Sequence, residues 1–450
     1  MTTPICDFVR RYAQGGPLRL HMPGHKGCGP LGMEALDITE ISGADSLYEA
    51  HGIIAESEGN ASRIFGSPTF YSTEGSSLCI RAMLHLVAQH ARAKGCERPV
   101  IAAARNVHKT FISAAAMLDL DVQWLYSEEE TGYLSCRITP HGLDRFLSAR
   151  SPLPAAVYLT SPDYLGNLSE LSRLAHVCHQ HGVLLLVDNA HGAYLKFLPN
   201  NFHPIDQGVD LCCDSAHKTL PVLTGGAYLH IGNNAPSGFV ELAKSAMALF
   251  GSTSPSYLIL QSLDAANELL SDPSYSRSIV MLASMIENCR KRLISHGFSV
   301  LEDCEPLKLT ILPRTYGYTG TELAEHLRKH GMECEFSDPD LLVLMLTPAI
   351  REVDLERVLQ VLTALPRRTA LFHKMPSIQR PQMAMSIREA VFSPCEILPA
   401  EQCVGRVLAA ASVSCPPAVP ILVCGEKIDD TAIDTFRYYG IEYLTVVANT

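Results

Sequence analysis

Between residues 69 and 230 the chain alternates short apolar runs with segments of helical periodicity. The apolar runs predict buried strands at 100–104, 122–126 and 155–160, two strands that end at Asp188 and Asp214, and one strand at 226–231. Apolar residues spaced three and four apart predict helices at 76–94, 111–118 and 171–181. Alternating strands and helices indicate an α/β fold with a mostly parallel sheet, which binds ligands at the carboxyl ends of its strands.

The pattern changes after residue 233, where longer helices dominate. Helices are predicted at 239–250, 258–270, 276–296, 321–330 and 352–365, and strands at 298–301, 307–312 and 341–346. We therefore predict four regions: an N-terminal arm (1–60), a large domain (61–235), a small α+β domain (236–370) and a C-terminal tail domain (371–450).

Composition excludes several classes of function. The 450 residues are 47% hydrophobic and 18% charged, as in a packed globular protein, and the net charge of −11 argues against a nucleic-acid partner. We see neither a membrane-length apolar run nor the apolar core of a signal peptide, and we expect a cytoplasmic protein without a membrane partner. Its 15 cysteines are then expected to be reduced.

A lysine and an aspartate follow two of the predicted strands. Lys218 lies just after the strand that ends at Asp214, and Asp188 ends the preceding strand. This pair suits pyridoxal 5'-phosphate (PLP), because a lysine forms a Schiff base with the aldehyde and an aspartate keeps the pyridine nitrogen protonated. Ser215 and His217, beside the lysine, are candidates to hold the phosphate. The alternative is an ordinary α/β sheet with a surface lysine.

Two further segments carry candidate cofactor ligands. Ser76 and Ser77 lie where a loop meets a helix, and hydroxyls with free helical amides bind phosphate well, although serine is also a common helix cap. His108 follows a buried strand, where an imidazole can stack on a planar cofactor, but it can equally be a plain loop histidine.

Two weaker patterns are rejected. Residues 27–32 fit Gly-x-Gly-x-x-Gly, but no strand precedes them and Pro30 removes an amide that a dinucleotide loop needs. His176 and His179 can share a helix face, but no further ligand completes a metal site, and we interpret them as a solvated helix end. We predict no metal.

Considered together, the motifs of this chain resemble those of the Orn/Lys/Arg decarboxylase family of fold-type I PLP enzymes, in family order and over nearly the whole length. The length is similar to that of the short form, without an additional N-terminal receiver-like domain. The motifs are HMPGHKG (21–27), DITE (37–40), RNVHK (105–109), TSPDYLG (160–166), DNAHG (188–192), SAHK (215–218), STSPSY (252–257) and PPAVPILVCGE (416–426).

The resemblance implies a role for each matching residue. Lys218 is expected to carry PLP, Asp188 to pair with the pyridine nitrogen and His108 to stack on the ring. Ser76, Ser77, Ser215 and His217 are expected to hold the phosphate, with Ala190 and His191 also at the cofactor. Thr253 or Ser254 is expected to reach a phosphate across a dimer interface.

The resemblance also implies a reaction and partners. It implies decarboxylation of arginine, lysine or ornithine to an amine, with a place in polyamine biosynthesis, by a homodimer or higher homo-oligomer. Glu426 is the first candidate to meet the cationic end of the substrate, and Glu74 is the second. The alternatives are another PLP reaction, such as β-elimination or transamination, and a catalytically silent regulatory paralogue.

Three departures from the family pattern bear on the substrate. Glu74-Gly75 replaces the usual Asn-Gly, and Asp45-Ser46 replaces the usual Asp-Asp. Residues 48–52 also depart from His-x-Pro-x-Gly. We expect these loops to line the substrate pocket, so the identity of the amino acid stays open.

Overall fold

The chain folds as two units, each assembled from two separate stretches of sequence. The structure is a computed structural model that describes residues 1–128, 132–372, 376, 380–415 and 419–449. The first unit comprises Met1–Ala93 and Leu171–Arg277, and the second comprises Lys94–Glu170 and Ser278–Thr450.

The helices and strands are numbered in chain order. The α-helices are α1 (Pro4–Gln14), α2 (Ile53–Phe65), α3 (Gly75–Ala93), α4 (Lys109–Leu118), α5 (Pro140–Ser148), α6 (Leu171–Gln180), α7 (Ala216–Thr219), α8 (Phe239–Ala248), α9 (Tyr257–Leu270), α10 (Pro273–His296), α11 (Gly320–Lys329), α12 (Glu352–Thr363), α13 (Ile387–Phe392) and α14 (Asp430–Tyr438). The strands are β1 (Thr69–Ser72), β2 (Val100–Ala104), β3 (Asp121–Leu125), β4 (Ala156–Thr160), β5 (Leu184–Asp188), β6 (Leu211–Asp214), β7 (Ala227–Ile231), β8 (Ser299–Val300), β9 (Lys308–Leu312), β10 (Phe336–Ser337), β11 (Leu342–Met345), β12 (Cys395–Pro399), β13 (Ser412–Cys415), β14 (Val419–Val423) and β15 (Tyr443–Val447).

In the first unit four strands lie side by side in the order β1-β7-β6-β5. β5 and β6 are parallel, with Asp188 opposite Cys213, whereas β7 runs antiparallel to both β6 and β1. Their side chains are almost entirely buried, and helix α3 packs against β6 and β7. The carboxyl ends of β5 and β6 therefore meet at one edge, which is where ligands bind in such sheets.

In the second unit β2 pairs in parallel with both β3 and β4. The same unit contains an antiparallel sheet in the order β10-β11-β9-β8 and two antiparallel pairs, β12 with β15 and β13 with β14. Part of the tail shares a hydrophobic core with these elements, through residues such as Val343, Ile421 and Phe436. The first three residues of the 416–426 motif lie outside the described residues.

Several predicted elements are confirmed. The strand predicted at 100–104 is β2, and the helix predicted at 76–94 is α3 shifted by one residue. The antiparallel direction of β7 departs from the parallel series in which it was predicted. Within the described part of the chain, helices that combine the length and the apolar character needed to span a bilayer are absent.

Candidate active site

Lys218 lies in the short helix α7, directly after strand β6. Its Nζ is 3.0 Å from Nε2 of His191, which follows the neighbouring strand β5. The parallel pairing of β5 and β6 explains the contact, because it brings the two strand ends to the same edge of the sheet. The structure thus brings together two residues that the sequence placed at the cofactor.

Asp188 is the last residue of β5 and is only 2% exposed. Its Oδ1 accepts a hydrogen bond from the backbone N–H of Ala190 at 3.1 Å, and the Cys213 thiol donates to the same oxygen at 3.8 Å. A buried carboxylate, one strand away from Lys218, is the hydrogen-bond acceptor that a protonated pyridine nitrogen requires.

The predicted phosphate ligands meet at the start of α3. The Ser215 hydroxyl donates to Oγ of Ser76 at 2.8 Å, which joins the end of β6 to the first turn of the helix. Gly75 has a φ of +70° and open space where a Cβ would stand, so the turn leaves a cradle over the helix N-terminus. Hydroxyls beside the N-terminus of a 19-residue helix fit a phosphate group.

His217 and Ser77 are the other two residues predicted to hold the phosphate. Nδ1 of His217 is 3.0 Å from the carbonyl oxygen of Gly226, which fixes the ring against the start of β7. Ser77 follows Ser76 in the first turn of α3 and is half-buried.

The segment with Thr253 and Ser254 is held by Glu74 of the same chain. Oε1 of Glu74 accepts from the backbone N–H of Ser252 at 2.6 Å, and Oγ of Ser252 accepts from the N–H of Ser254 at 3.1 Å. Both predicted phosphate ligands are exposed. The acidic residue that replaces the family asparagine therefore orders a turn beside the cradle.

His108 belongs to the second unit, where it caps helix α4. Its Nδ1 accepts from the backbone N–H of Thr110 at 3.2 Å, so the ring is held in one orientation and is half-buried. In the same unit, Asn106 Oδ1 and Thr160 Oγ1 are buried without a hydrogen-bond partner among the described residues. Both residues line a cavity of about 190 Å³ at the carboxyl ends of β2 and β4.

The carboxylate of Glu426 is buried and already has a partner within the protein. It forms an ion pair with Arg105 at 3.0 Å, and each side chain is 1% exposed. Its Oε2 also accepts from the N–H of Val423 at 2.7 Å. Burial raises the pKa of Glu426, while the positive charge of Arg105 opposes that rise.

Arg105 was not singled out from the sequence, although it is the partner of this carboxylate. Its guanidinium also donates to the carbonyl oxygens of Pro420 and Ile421 and lies 5.1 Å from the centre of the Trp124 ring. A cation directly after a buried apolar strand was the available signal, because a buried guanidinium requires a carboxylate.

Asp45, in one of the loops expected to line the substrate pocket, is engaged by the backbone. Its carboxylate accepts from the N–H groups of His51, Gly52 and Ile54 at 2.7–3.1 Å, at the start of α2. Its side chain therefore caps a helix.

His176 and His179 are exposed near the end of α6, as the sequence indicated, and His179 also contacts the protein through its ring. Its Nε2 lies 3.1 Å from both carboxylate oxygens of Asp210, which is fully buried at the start of β6. A carboxylate buried in this position requires a donor, and α6 supplies one.

Comparison with known proteins decides the family. A sequence profile described as "Orn/Lys/Arg decarboxylase, major domain" matches residues 3–314. The chain belongs to the Orn/Lys/Arg decarboxylase family. Two relatives of the family named arginine decarboxylase match over nearly their whole length. The protein of Halalkalibacterium halodurans is 29% identical, covering 97% of this chain and 93% of the relative, and that of Bacillus subtilis is 27% identical, covering 96% and 92%.

Solved structures agree on the fold. Francisella novicida lysine decarboxylase superposes with a TM-score of 0.81 at 16% identity, covering 99% of this chain and 81% of that chain. The constitutive lysine decarboxylase of E. coli gives a TM-score of 0.77 at 19% identity, covering 99% and 82%. The fold is that of the fold-type I PLP-dependent enzymes, as the sequence motifs predicted.

Proposed function

We propose that this chain decarboxylates a basic amino acid with PLP bound at the carboxyl ends of β5 and β6. The observation that carries the proposal is the placement of Lys218 beside His191, one strand from the buried Asp188 and next to the Ser76–Ser215 cradle. Membership in the Orn/Lys/Arg decarboxylase family supports the same reaction.

Each side chain has a task in this proposal. Lys218 attaches the cofactor covalently, Asp188 keeps its ring nitrogen protonated, and Ser76, Ser77, Ser215 and His217 hold its phosphate. Ala190, His191 and His108 are proposed to contact the ring. Bound in this way, PLP supplies an electron sink for the pair of electrons left when CO2 departs.

The Lys218–His191 contact supports a route for the returning proton. At 3.0 Å, Nζ and Nε2 share a hydrogen bond, so either group can hold the proton that the α-carbon needs after CO2 has left. With PLP bound, Lys218 would be the group that delivers this proton, and His191 would be the group that replaces it.

We propose arginine as the first substrate to test, because the relatives from Halalkalibacterium halodurans and Bacillus subtilis described above are named arginine decarboxylase. Because Glu426 is already paired with Arg105, we propose Glu74 ahead of Glu426 as the partner of the substrate cation. A Glu74→Gln variant should then raise KM for the basic amino acid at least about tenfold, roughly 1.4 kcal/mol. The same loss in Glu426→Gln, with Glu74→Gln unaffected, would reverse the assignment.

The main test is chemical. Borohydride reduction of the PLP-loaded protein should fix a pyridoxyl group on Lys218, and mass spectrometry of the products from arginine, lysine and ornithine should identify CO2 and the matching amine. A modified peptide at Lys196 or Lys109 would contradict the site. Release of pyruvate or ammonia would indicate elimination, and cofactor binding without turnover would indicate a silent paralogue.

We further propose that the protein is a homodimer. Support comes from the N-terminal segment, where Leu18 is 83% exposed, Leu20 is 85% exposed and Leu31 is 76% exposed. A second copy of the chain would shield these leucines from water. Light scattering should give twice the chain mass, and the Leu18→Glu/Leu20→Glu variant should shift it toward the monomer; an unchanged mass would place the interface elsewhere. A cytoplasmic location stays a prediction.

A further inference from the structure

A fully buried polar cluster lies beneath the two strand ends that carry Asp188 and Lys218. It consists of His203, Asp214, His230 and Asn189, all inaccessible to solvent. Successive side chains of a strand alternate between faces, so Asp214 lies on the face of β6 opposite Cys213, the residue whose thiol contacts Asp188. The cluster therefore supports the site from the other side of the sheet.

Both oxygens of Asp214 are occupied. Oδ2 accepts from Nε2 of His203 at 3.0 Å and from Nε2 of His230 at 3.1 Å, and Oδ1 accepts from Nδ2 of Asn189 at 2.6 Å. Burial alone would raise the pKa of Asp214, but the two imidazoles outweigh it and hold that pKa well below its usual value. Asp214 is thus a buried carboxylate that stays ionised at neutral pH.

Asn189 connects this carboxylate to the site. It directly follows Asp188, and its backbone N–H donates to the carbonyl oxygen of Cys213 at 3.0 Å. The other atom of its side-chain amide, Oδ1, is buried without a hydrogen-bond partner among the described residues. The hydrogen bond to Asp214 therefore orients the amide group of Asn189. Asp214 ends the neighbouring strand β6 and lies four residues before Lys218.

A metal ion is the competing explanation. Donor atoms of His203, Cys212, Asp214 and His230 all lie within 4.8 Å of one another. However, Nδ1 of His203 accepts from the backbone N–H of Ile205, so the ring proton of the neutral imidazole is on Nε2. A protonated Nε2 donates to Asp214 and cannot coordinate a metal, which favours the hydrogen-bonded cluster.

We propose that Asp214 is a positioning residue, whose buried charge holds Asn189 and thereby fixes Asp188 relative to Lys218. The inference rests on the proposed function, because that function requires Asp188 and Lys218 to be held in fixed positions relative to each other. Its consequence is that a second carboxylate at position 189 should be tolerated only while the two carboxyl groups share a proton.

The decisive variant is Asn189→Asp. Two adjoining buried carboxyl groups raise each other's pKa, so they can share a proton at low pH and repel each other at high pH. The Kd of the apoprotein for PLP, titrated by absorbance, should therefore rise at least about tenfold more than that of the parent between pH 6 and pH 8.5, roughly 1.4 kcal/mol. A structural defect alone would weaken binding equally at both pH values.

Two further variants complete the design. In Asn189→Asp/Asp214→Asn the carboxylate and the amide exchange places, so the new amide oxygen can accept from both imidazoles while its NH2 donates to position 189; the pH-dependent loss should disappear. The matched control is Asp210→Asn, which changes a buried carboxylate with a histidine partner at the other end of β6 and should follow the parent.

The outcomes separate this inference from the proposed function. If the parent protein fails to bind PLP at Lys218, the proposed function fails first. If the parent binds PLP and Asn189→Asp shows the parent's pH dependence, only the role of Asp214 is overturned. A stoichiometric metal in the purified parent, measured by mass spectrometry and lost in Cys212→Ser but not in Cys178→Ser, would also overturn it.

Discussion

At the scale of single residues, Asp188 is proposed to keep the pyridine nitrogen of the cofactor protonated. Asp188→Asn keeps the shape but loses the charge that holds a proton on the ring nitrogen, so PLP should still bind while turnover falls by several powers of ten, each about 1.4 kcal/mol of barrier. Steady-state kinetics at saturating PLP measure this. The control is Asp206→Asn, which removes only a pair with Lys196 and should leave the rate unchanged; near-normal turnover in Asp188→Asn would contradict the role.

Asp338 gives a prediction on stability and pH. Burial raises the pKa of Asp338 from 3.8 to about 6, so the folded state holds this proton more tightly than the unfolded state does. The resulting penalty is absent below pH 3.8, grows as the pH rises and is complete above pH 6, where it reaches about 3 kcal/mol. Asp338→Asn should therefore stabilise the apoprotein to urea at pH 8, and the gain should shrink toward pH 4.

The control for this prediction is two residues away. Asp340 pairs with Arg314 at 2.6 Å and accepts from the Tyr438 hydroxyl at 2.6 Å, so Asp340→Asn should destabilise at pH 8. A pH-independent effect of Asp338→Asn would show that its proton affinity is ordinary.

The sequence alone identified those candidate site residues whose chemistry can be inferred from their immediate neighbours in the chain. Lys218 and Asp188 stand out because each follows an apolar run with a chemically distinctive side chain. Arg105 and Glu426 are 321 residues apart, and nothing local to either one indicates the other. The same holds for His230, which reaches Asp214 only after β6 and β7 have paired.

At the scale of elements, Asp45 is a remote cap for α2. Helix α2 begins after Gly52 without a capping side chain of its own at that position, and Asp45 supplies the missing acceptors. Asp45→Ala should destabilise the apoprotein by about 1–2 kcal/mol and speed amide exchange in residues 52–56. Asp45→Asn keeps one acceptor and should lose less; equal stability of all three proteins would exclude the capping role.

The Arg105–Glu426 pair ties the end of β2 to the turn after β14. Arg105→Met or Glu426→Leu alone should destabilise by about 3 kcal/mol or more, because each leaves a buried charge without its partner. The double variant should recover most of that loss, since an apolar pair has no charge to desolvate. Urea unfolding of the four apoproteins measures the coupling, and additive losses would mean that the charges act independently.

Element prediction succeeded where periodicity is strong. The apolar stripe of α3 located that helix within one residue at each end. The helices α1 and α2 were less visible, because the glycine- and proline-rich stretch between them dominates the pattern of the first 60 residues. Alternation predicted β7 as a strand, but periodicity carries no information on whether a strand runs parallel or antiparallel to its neighbour.

At the scale of the whole molecule, each unit draws on two distant parts of the chain. Linear composition indicates contiguous regions, and the predicted boundaries at 60, 235 and 370 remain a prediction. Grouping by contact joins Met1–Ala93 to Leu171–Arg277, which no compositional shift marks. The fold class was still predictable, because alternating strands and helices specify it without reference to which segments meet.

This discontinuity bears on how the protein is made. During synthesis the ribosome releases Met1–Ala93 first, and the segment holding Asp188 and Lys218 emerges only after Lys94–Glu170. The early part of the first unit must wait, with its apolar faces uncovered, until Arg277 has left the exit tunnel. Contacts so distant in sequence form slowly and leave nascent chains prone to aggregation. The first unit can therefore be completed only late in synthesis, after the second unit's first stretch has already emerged.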